Sequence, residues 1–308
     1  MDKLIDITAY PVKETLKLLL KDKTTGKNII WATDAYIALG YTDRSQLTID
    51  ALIGDTAIDL RPRIQKSMET QMDRTRKKGE VFTPAWLCNR MNNHADEVWF
   101  DRKDVFNIET NDNNWNVIED KIEFPKKKRW QRYVDSRRLE ITCGEAPYLA
   151  SRYDASTGEE ILPLKRRIGM LDRKFRIVNE NTETEEDWIK WAVRAIQSCY
   201  GYEWQGDSLL IARINVLMTF CEYFTDRWSQ DPDAKLLKTV ANIIAWNLWQ
   251  MDGLKDTVPL GMPQEEEHQI TIFEWQNPDI AKKEAAPYCK IYDWRRDNSK
   301  LYKELKEG

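Results

Sequence analysis

One stretch of this sequence, LEITCGEAPYL at 139–149, has the form of a ligand-binding glycine turn. Its hydrophobic beginning predicts a strand end that runs into a tight turn at Cys143 and Gly144. Glycine lets the backbone approach a ligand, and a helix that opens directly afterwards can direct its N–H groups toward that ligand. This arrangement at the end of a strand is typical of nucleotide-binding loops.

A second stretch, GYEWQGDSLLIARINVL at 201–217, places Glu203 at a strand end just before a helix. A carboxylate in that position can accept hydrogen bonds from both hydroxyls of a ribose. The adjacent Trp204 can lie against the face of an adenine ring. The competing interpretation is a surface glutamate that caps the helix.

The elements that position these residues follow from apolar spacing. Helical periodicity extends over 185–199, and Thr184 is a typical cap with acidic residues in the first turn. Two more helices are predicted over 207–224, with Asp207 as the cap, and over 233–249. Strands that alternate with helices predict an α/β sheet.

The two ends of the chain have a different character. The apolar spacing at 11–22 predicts a short helix, and the stretch TTGKNIIWAT predicts a turn followed by a strand. After Pro259 the sequence becomes an acidic linker and then short strand-like pieces with charged turns. This tail is too small to fold alone, so we expect it to dock on another surface.

Composition excludes several classes of function. The chain has only two histidines, and its five cysteines form no CxxC pair, so we expect no metal site and no disulfide framework. No apolar run approaches the ~20 residues of a membrane span, and the N-terminus lacks the layout of a signal peptide. These features favour a cytoplasmic protein without membrane contact.

The net charge is −4, whereas a protein that coats DNA unaided is normally basic. Positive charge is nevertheless concentrated locally, most densely in 126–138. The residues we expect to contact the DNA backbone are Lys126, Lys127, Lys128, Arg129 and Arg132. The alternative is an ordinary solvated face.

Two further stretches complete a family resemblance: TRKKGEVFTPAWLCNRM at 75–91 and NLWQMDGL at 247–254. With the glycine turn and the Glu203 stretch, they resemble the cofactor half of the adenine-specific N6 DNA methyltransferases of bacterial restriction–modification systems. The resemblance covers roughly residues 70–255. It implies an α/β, Rossmann-like fold that binds S-adenosylmethionine.

The resemblance also implies a set of binding residues. In related enzymes the Thr-Pro turn lies over the methionine end of the cofactor, and Pro84 opens a helix. An acid at the end of a third strand can bond the adenine amine. The residues expected to bind the cofactor are Phe82, Thr83, Pro84, Glu140, Thr142, Cys143, Gly144, Glu203, Trp204 and Asp252.

The chain departs from the family pattern in three ways. Glu145 and Ala146 replace the serine and second glycine of the usual turn. Gly144 and Glu203 are 59 positions apart, far beyond the ~20 residues of dinucleotide folds, which predicts an insertion at about 151–184. The catalytic Asn-Pro-Pro-aromatic motif, which holds the flipped adenine, is absent. Its nearest counterpart is the turn at Asn277 and Pro278.

These observations predict three parts: an α+β extension at 1–70, an incomplete methyltransferase core at 71–258, and a linker with a docking tail at 259–308. The leading hypothesis is the S-adenosylmethionine-binding subunit of a split DNA adenine N6-methyltransferase, inactive alone, in a heterodimer whose partner supplies the catalytic motif and reads double-stranded DNA. The alternatives are a non-catalytic DNA-recognition or regulatory subunit and, less favoured, a nuclease subunit.

Overall fold

The computed structural model describes residues 4–67, 71, 83–125, 129–263 and 285–306. The helices in these ranges are α1 Val12–Leu19, α2 Ile49–Ile53, α3 Ala85–Phe100, α4 Trp130–Val134, α5 Met170–Asn181, α6 Glu185–Gln197, α7 Gly206–Trp228 and α8 Ala234–Asn247. The strands are β1 Asn107–Glu109, β2 Trp115–Val117, β3 Arg138–Glu140, β4 Cys199–Glu203, β5 Leu248–Gln250, β6 Met262–Pro263, β7 Ala285–Ala286, β8 Lys290–Asp293 and β9 Asn298–Leu301. The α/β class is confirmed.

A parallel sheet of three strands organises the fold. The strands lie in the order β3-β4-β5, with Glu140 opposite Gly201 and Glu203 opposite Gln250. Helices α5 and α6 connect β3 to β4, and α7 and α8 connect β4 to β5. Parallel strands need such crossover connections. Because the three strands run in the same direction, their carboxyl ends meet at one edge of the sheet. The remaining strands form three separate pairs, β1-β2, β6-β7 and β8-β9.

The crossover helices follow the predicted periodicity with small shifts at their ends. The Thr184 side chain accepts a hydrogen bond from the N–H of Asp187, as expected of a cap. Helix α6 ends at Gln197 because Cys199 already begins β4. Asp207 is not the cap of α7, which begins one residue earlier after Gln205.

The segment predicted to be an insertion contributes α5 to the core. Leu171, Phe175, Ile177 and Val178 are buried in the same cluster as α6 and α7. Helices α5 and α6 account for part of the long separation between the glycine turn and Glu203, and residues 145–169 precede them. The α5 part of the predicted insertion therefore belongs to the packed crossover.

The N-terminal segment shares this core, although the strand predicted after Gly26 is present only as isolated bridges, including Ile30 with Gln46. The fully buried guanidinium of Arg213, on α7, joins the segment to the sheet. It donates to the carbonyls of Leu19 (2.5 Å) and Leu248 (2.6 Å). The extension and the sheet are therefore packed as one body.

The described part of the tail packs on the chain's own sheet. Ile291 and Tyr302 lie in a buried cluster with Tyr202 and Trp249 of the sheet. The Trp294 indole donates to the Asn247 side chain at 2.7 Å. This docking covers one face of β4 and β5. Among the described residues, no helix has the length and apolar character required to cross a lipid bilayer.

Candidate nucleotide-binding cleft

A cleft of about 1080 Å³ opens at the carboxyl ends of β3 and β4 and extends along β3. This is the edge where open α/β sheets bind their ligands. Seven of the predicted cofactor residues line it: Thr83, Glu140, Thr142, Cys143, Gly144, Glu203 and Trp204. The fold thus brings residues from three distant parts of the chain to one site.

Glu203 and the glycine turn meet directly. The N–H of Gly144 donates to Oε2 of Glu203 at 2.9 Å, across 59 positions of sequence. The N–H of Gln205 donates to Oε1 at 3.1 Å, so both carboxylate oxygens are held. The N–H of Cys143 donates to the carbonyl of Tyr202 at 2.8 Å and continues the ladder between the two strands. Glu203 is only 8% exposed and lies in the cleft wall.

The turn has an unusual backbone. Thr142, Gly144 and Ala146 all have left-handed φ angles, of 46°, 54° and 64°. A Cβ at Gly144 would meet no atom within 4 Å, because this residue borders the open cleft. Ala146 has a left-handed backbone that glycine would adopt more easily.

The side chain of Glu140 stabilises the residues that follow the glycine turn. Its two carboxylate oxygens accept the N–H groups of Tyr148 (3.3 Å) and Leu149 (3.1 Å). Burial raises the pKa of Glu140 to about 8, with a smaller contribution from the nearby charge of Glu203. A proton is therefore held at this carboxyl group at neutral pH, which reduces the repulsion between the two acids.

Glu145 joins the turn to the N-terminal segment. Its carboxylate accepts the N–H of Arg63 at 2.5 Å and the hydroxyl of Tyr153 at 2.7 Å. Close by, Lys66 forms an ion pair of 3.0 Å with Asp207. Burial raises the pKa of Glu145. Sequence reasoning missed these contacts because no local pattern relates residues 63–66 to this turn.

Two further walls of the cleft come from α3 and from Trp204. Pro84 precedes the first residue of α3, as predicted, and the N–H of Ala85 donates to Asp154 at 2.8 Å. Thr83 lines the cleft beside Tyr148, whose pKa burial raises to about 12. The Trp204 indole donates to the carbonyl of Ala32 at 3.0 Å, which fixes the ring. Phe82 lies outside the described residues.

Asp252 does not line this cleft. Its Oδ1 accepts the N–H groups of Leu254 (3.0 Å) and Lys255 (3.3 Å), and its Oδ2 lies 3.5 Å from the ammonium of Lys255. The carboxylate closes its own turn after β5. The expectation that it contacts an adenine amine therefore has no counterpart in the geometry of the cleft.

The other predicted residues lie elsewhere. Arg129 and Arg132 are exposed at the beginning of α4. The neighbouring lysines, Lys126, Lys127 and Lys128, and the turn at Asn277 and Pro278, lie outside the described residues. Within the part of the chain that the structure describes, no group of three or more His, Cys, Asp or Glu side chains could hold a metal ion.

Comparison with known proteins adds no relative to this picture. No protein-family model, no curated protein and no solved structure matches the chain.

Proposed function

We propose that this chain binds S-adenosylmethionine as one subunit of a split DNA adenine N6-methyltransferase. The observation that carries the proposal is the contact between Gly144 and Glu203 at the carboxyl ends of neighbouring parallel strands. A glycine turn and a strand-end acid at this edge form the usual recognition pair for a nucleoside. The choice of S-adenosylmethionine within that class rests on the family resemblance.

The cleft has the parts that a nucleoside with a charged extension requires. The carboxylate of Glu203 is fixed by two backbone N–H groups at the wall, where ribose hydroxyls can donate to it. Trp204 supplies a fixed aromatic surface beside it. The open space above Gly144 lets a ligand reach the backbone. The cleft is at the upper end of the ~300–1,000 Å³ typical of small-molecule sites.

The edge of the sheet supports the participation of a second chain. Strand β3 has only β4 as a neighbour among the described strands, and its other edge borders the cleft. Leu139 and Ile141 are 42% and 62% exposed there. An open edge with exposed aliphatic side chains favours the addition of a strand. In this proposal the partner occupies that edge and contributes the Asn-Pro-Pro-aromatic motif.

The direct test is calorimetric titration of S-adenosylmethionine into the full-length chain, its Glu203→Ala variant and a Glu186→Ala control. Glu186 is exposed on α6, away from the cleft, and matches the chemical change. We expect binding by the wild type and the control, and at least a tenfold loss in Glu203→Ala. Equal affinity of all three proteins would refute the assignment of the site, and no binding by the wild type would refute the cofactor role of the isolated chain.

Catalysis is tested separately with plasmid DNA and tritiated cofactor. The proposal predicts no adenine methylation by this chain alone and methylation after its partner is added. Ordinary turnover by the isolated chain would contradict the split arrangement while leaving the cofactor site intact.

A further inference from the structure

A second cleft, of about 490 Å³, lies between α4 and α6. These helices directly precede β3 and β4, so this cleft is at the amino ends of the strands, whereas the glycine turn is at their carboxyl ends. The first cleft extends along β3, and this strand, three residues long, places the glycine turn roughly 10 Å from the amino ends. That length corresponds to roughly three base steps of a DNA strand.

The second cleft has an excess of positive charge. Arg132, Lys190 and Arg194 line it, against a single carboxylate, Asp135. That carboxylate is already held by the guanidinium groups of Arg194 (2.5 Å) and of Arg295 in the tail (2.8 Å). Helices α4 and α6, joined by the tail, therefore assemble a cationic surface of which the positive stretch at 126–138 predicted only the Arg132 side. Such a surface suits the phosphates of a nucleic acid.

An aromatic ring lies beside these cations. Trp191 lines the cleft and is half-buried, and Trp130 packs edge-on against it with ring centroids 4.8 Å apart. The ammonium of Lys190 lies 6.0 Å from the Trp191 ring centroid. A fixed indole next to cations is the combination with which proteins stack an unpaired base and hold its phosphate.

Two glutamines complete the lining. Gln197 accepts a hydrogen bond from Arg194 at 3.2 Å. The buried side-chain oxygen of Gln131 has no hydrogen-bond partner within the described part of the chain. Rotation of that amide toward a base would give the oxygen an N–H donor. Amides are groups that recognise base edges.

We propose that the cleft between α4 and α6 binds an unpaired nucleotide of a DNA strand, with the base against Trp191 and the phosphates at Arg132 and Lys190. This site is separate from the cleft at Glu203, and the choice of DNA as the strand rests on the proposed function. If both are correct, the strand held here passes within reach of the methyl donor.

The test is fluorescence anisotropy with a labelled single-stranded 12-mer and the full-length chain. Arg132→Glu and Lys190→Glu change exposed side chains, so the fold should be preserved. We expect each to weaken binding about tenfold and to lower the dependence of affinity on salt. Trp191→Leu should weaken binding about tenfold without changing the salt dependence. Lys235→Glu, an exposed lysine on α8, is the matched control and should stay within twofold.

The inference would be overturned by the absence of oligonucleotide binding to the wild type. It would also be overturned by equal weakening in Lys190→Glu and Lys235→Glu, which would indicate general charge attraction. Competition by free deoxyadenosine monophosphate as effective as that of the unlabelled strand would also overturn it, since the ligand would then be a free nucleotide. Glu203→Ala should leave oligonucleotide affinity unchanged. A failure of oligonucleotide binding is therefore distinguishable from a failure of cofactor binding at Glu203.

Discussion

Replacement of Gly144 by alanine distinguishes two effects: the conformational cost of a left-handed backbone at the turn and the loss of space for a bound ligand. The residue has φ +54°, and a Cβ there meets no atom within 4 Å. The cost of the substitution is therefore conformational, about 1–2 kcal/mol for an L-residue in the left-handed region, with no added clash. The new methyl group would stand in the open cleft where a nucleoside must approach. We expect a modest loss of stability and at least a tenfold loss of S-adenosylmethionine affinity.

Gly26 provides the matched control for this experiment. It has φ +74°, a Cβ at this position would likewise meet no atom within 4 Å, and its turn does not line the cleft. Gly26→Ala should therefore cause a similar loss in urea unfolding and no change in calorimetric affinity. A Gly144→Ala variant with wild-type affinity would refute the idea that the ligand approaches this backbone. A loss of stability above about 3 kcal/mol would refute the assumption of an open, unclashed position.

Three further predictions concern the buried side chains of Glu140 and Arg213 and the carboxylate of Asp252, which does not line the cleft. Since the pKa of Glu140 is raised from 4.5 to about 8, the folded state keeps a proton that the unfolded state releases between these values, and the free energy of unfolding falls as pH rises through that window. Glu140→Gln should flatten this decline, by up to about 1.4 kcal/mol per pH unit, in urea titrations from pH 5 to 8. Asp252→Asn should leave cofactor affinity within twofold by calorimetry, and a tenfold loss would restore its predicted role. Arg213→Lys removes donors to several buried carbonyls and should cost about 3 kcal/mol or more in urea unfolding, whereas a loss under about 1 kcal/mol would contradict this structural role.

The sequence was sufficient to place helices α6, α7 and α8 and the two strand ends that form the cleft. Regular apolar spacing and the cap at Thr184 located α6, because apolar residues recur at helical spacing along the buried face of a helix. The two strand ends near Gly144 and Glu203 were predictable because each follows a hydrophobic strand. Only Glu203 is followed directly by a helix, whereas the residues after Gly144 form turns and the prediction of a helix there is wrong, since the next α-helix begins at Met170. The meeting of the two strand ends followed from the rule that parallel strands share an edge.

Contacts between segments distant in sequence could not be predicted from local patterns. The bond from Glu145 to the N–H of Arg63 depends on a backbone group, which any residue supplies, so residue types could not reveal it. The same holds for Asp252, whose carboxylate could serve a ligand or its own turn, and only the geometry distinguishes them. Arg132 was predicted to contact DNA, but the cleft itself was missed because tertiary packing of two helices brings Lys190 beside it.

Hydrogen bonds join the N-terminal segment to the strand ends that form the cleft. The carbonyl of Trp31 accepts the N–H of Gly206 at 3.0 Å, just where α7 leaves the Glu203 strand end. The side chain of Gln250 bonds both the N–H and the carbonyl of Ile30, at 2.9 and 2.8 Å. Loss of the segment would therefore remove the acceptor of the Gly206 N–H and the Ile30 partners of the Gln250 side chain, at the edge where the ligand is expected. We infer that the segment cannot be treated as an optional extension, because the geometry of Glu203 depends on it.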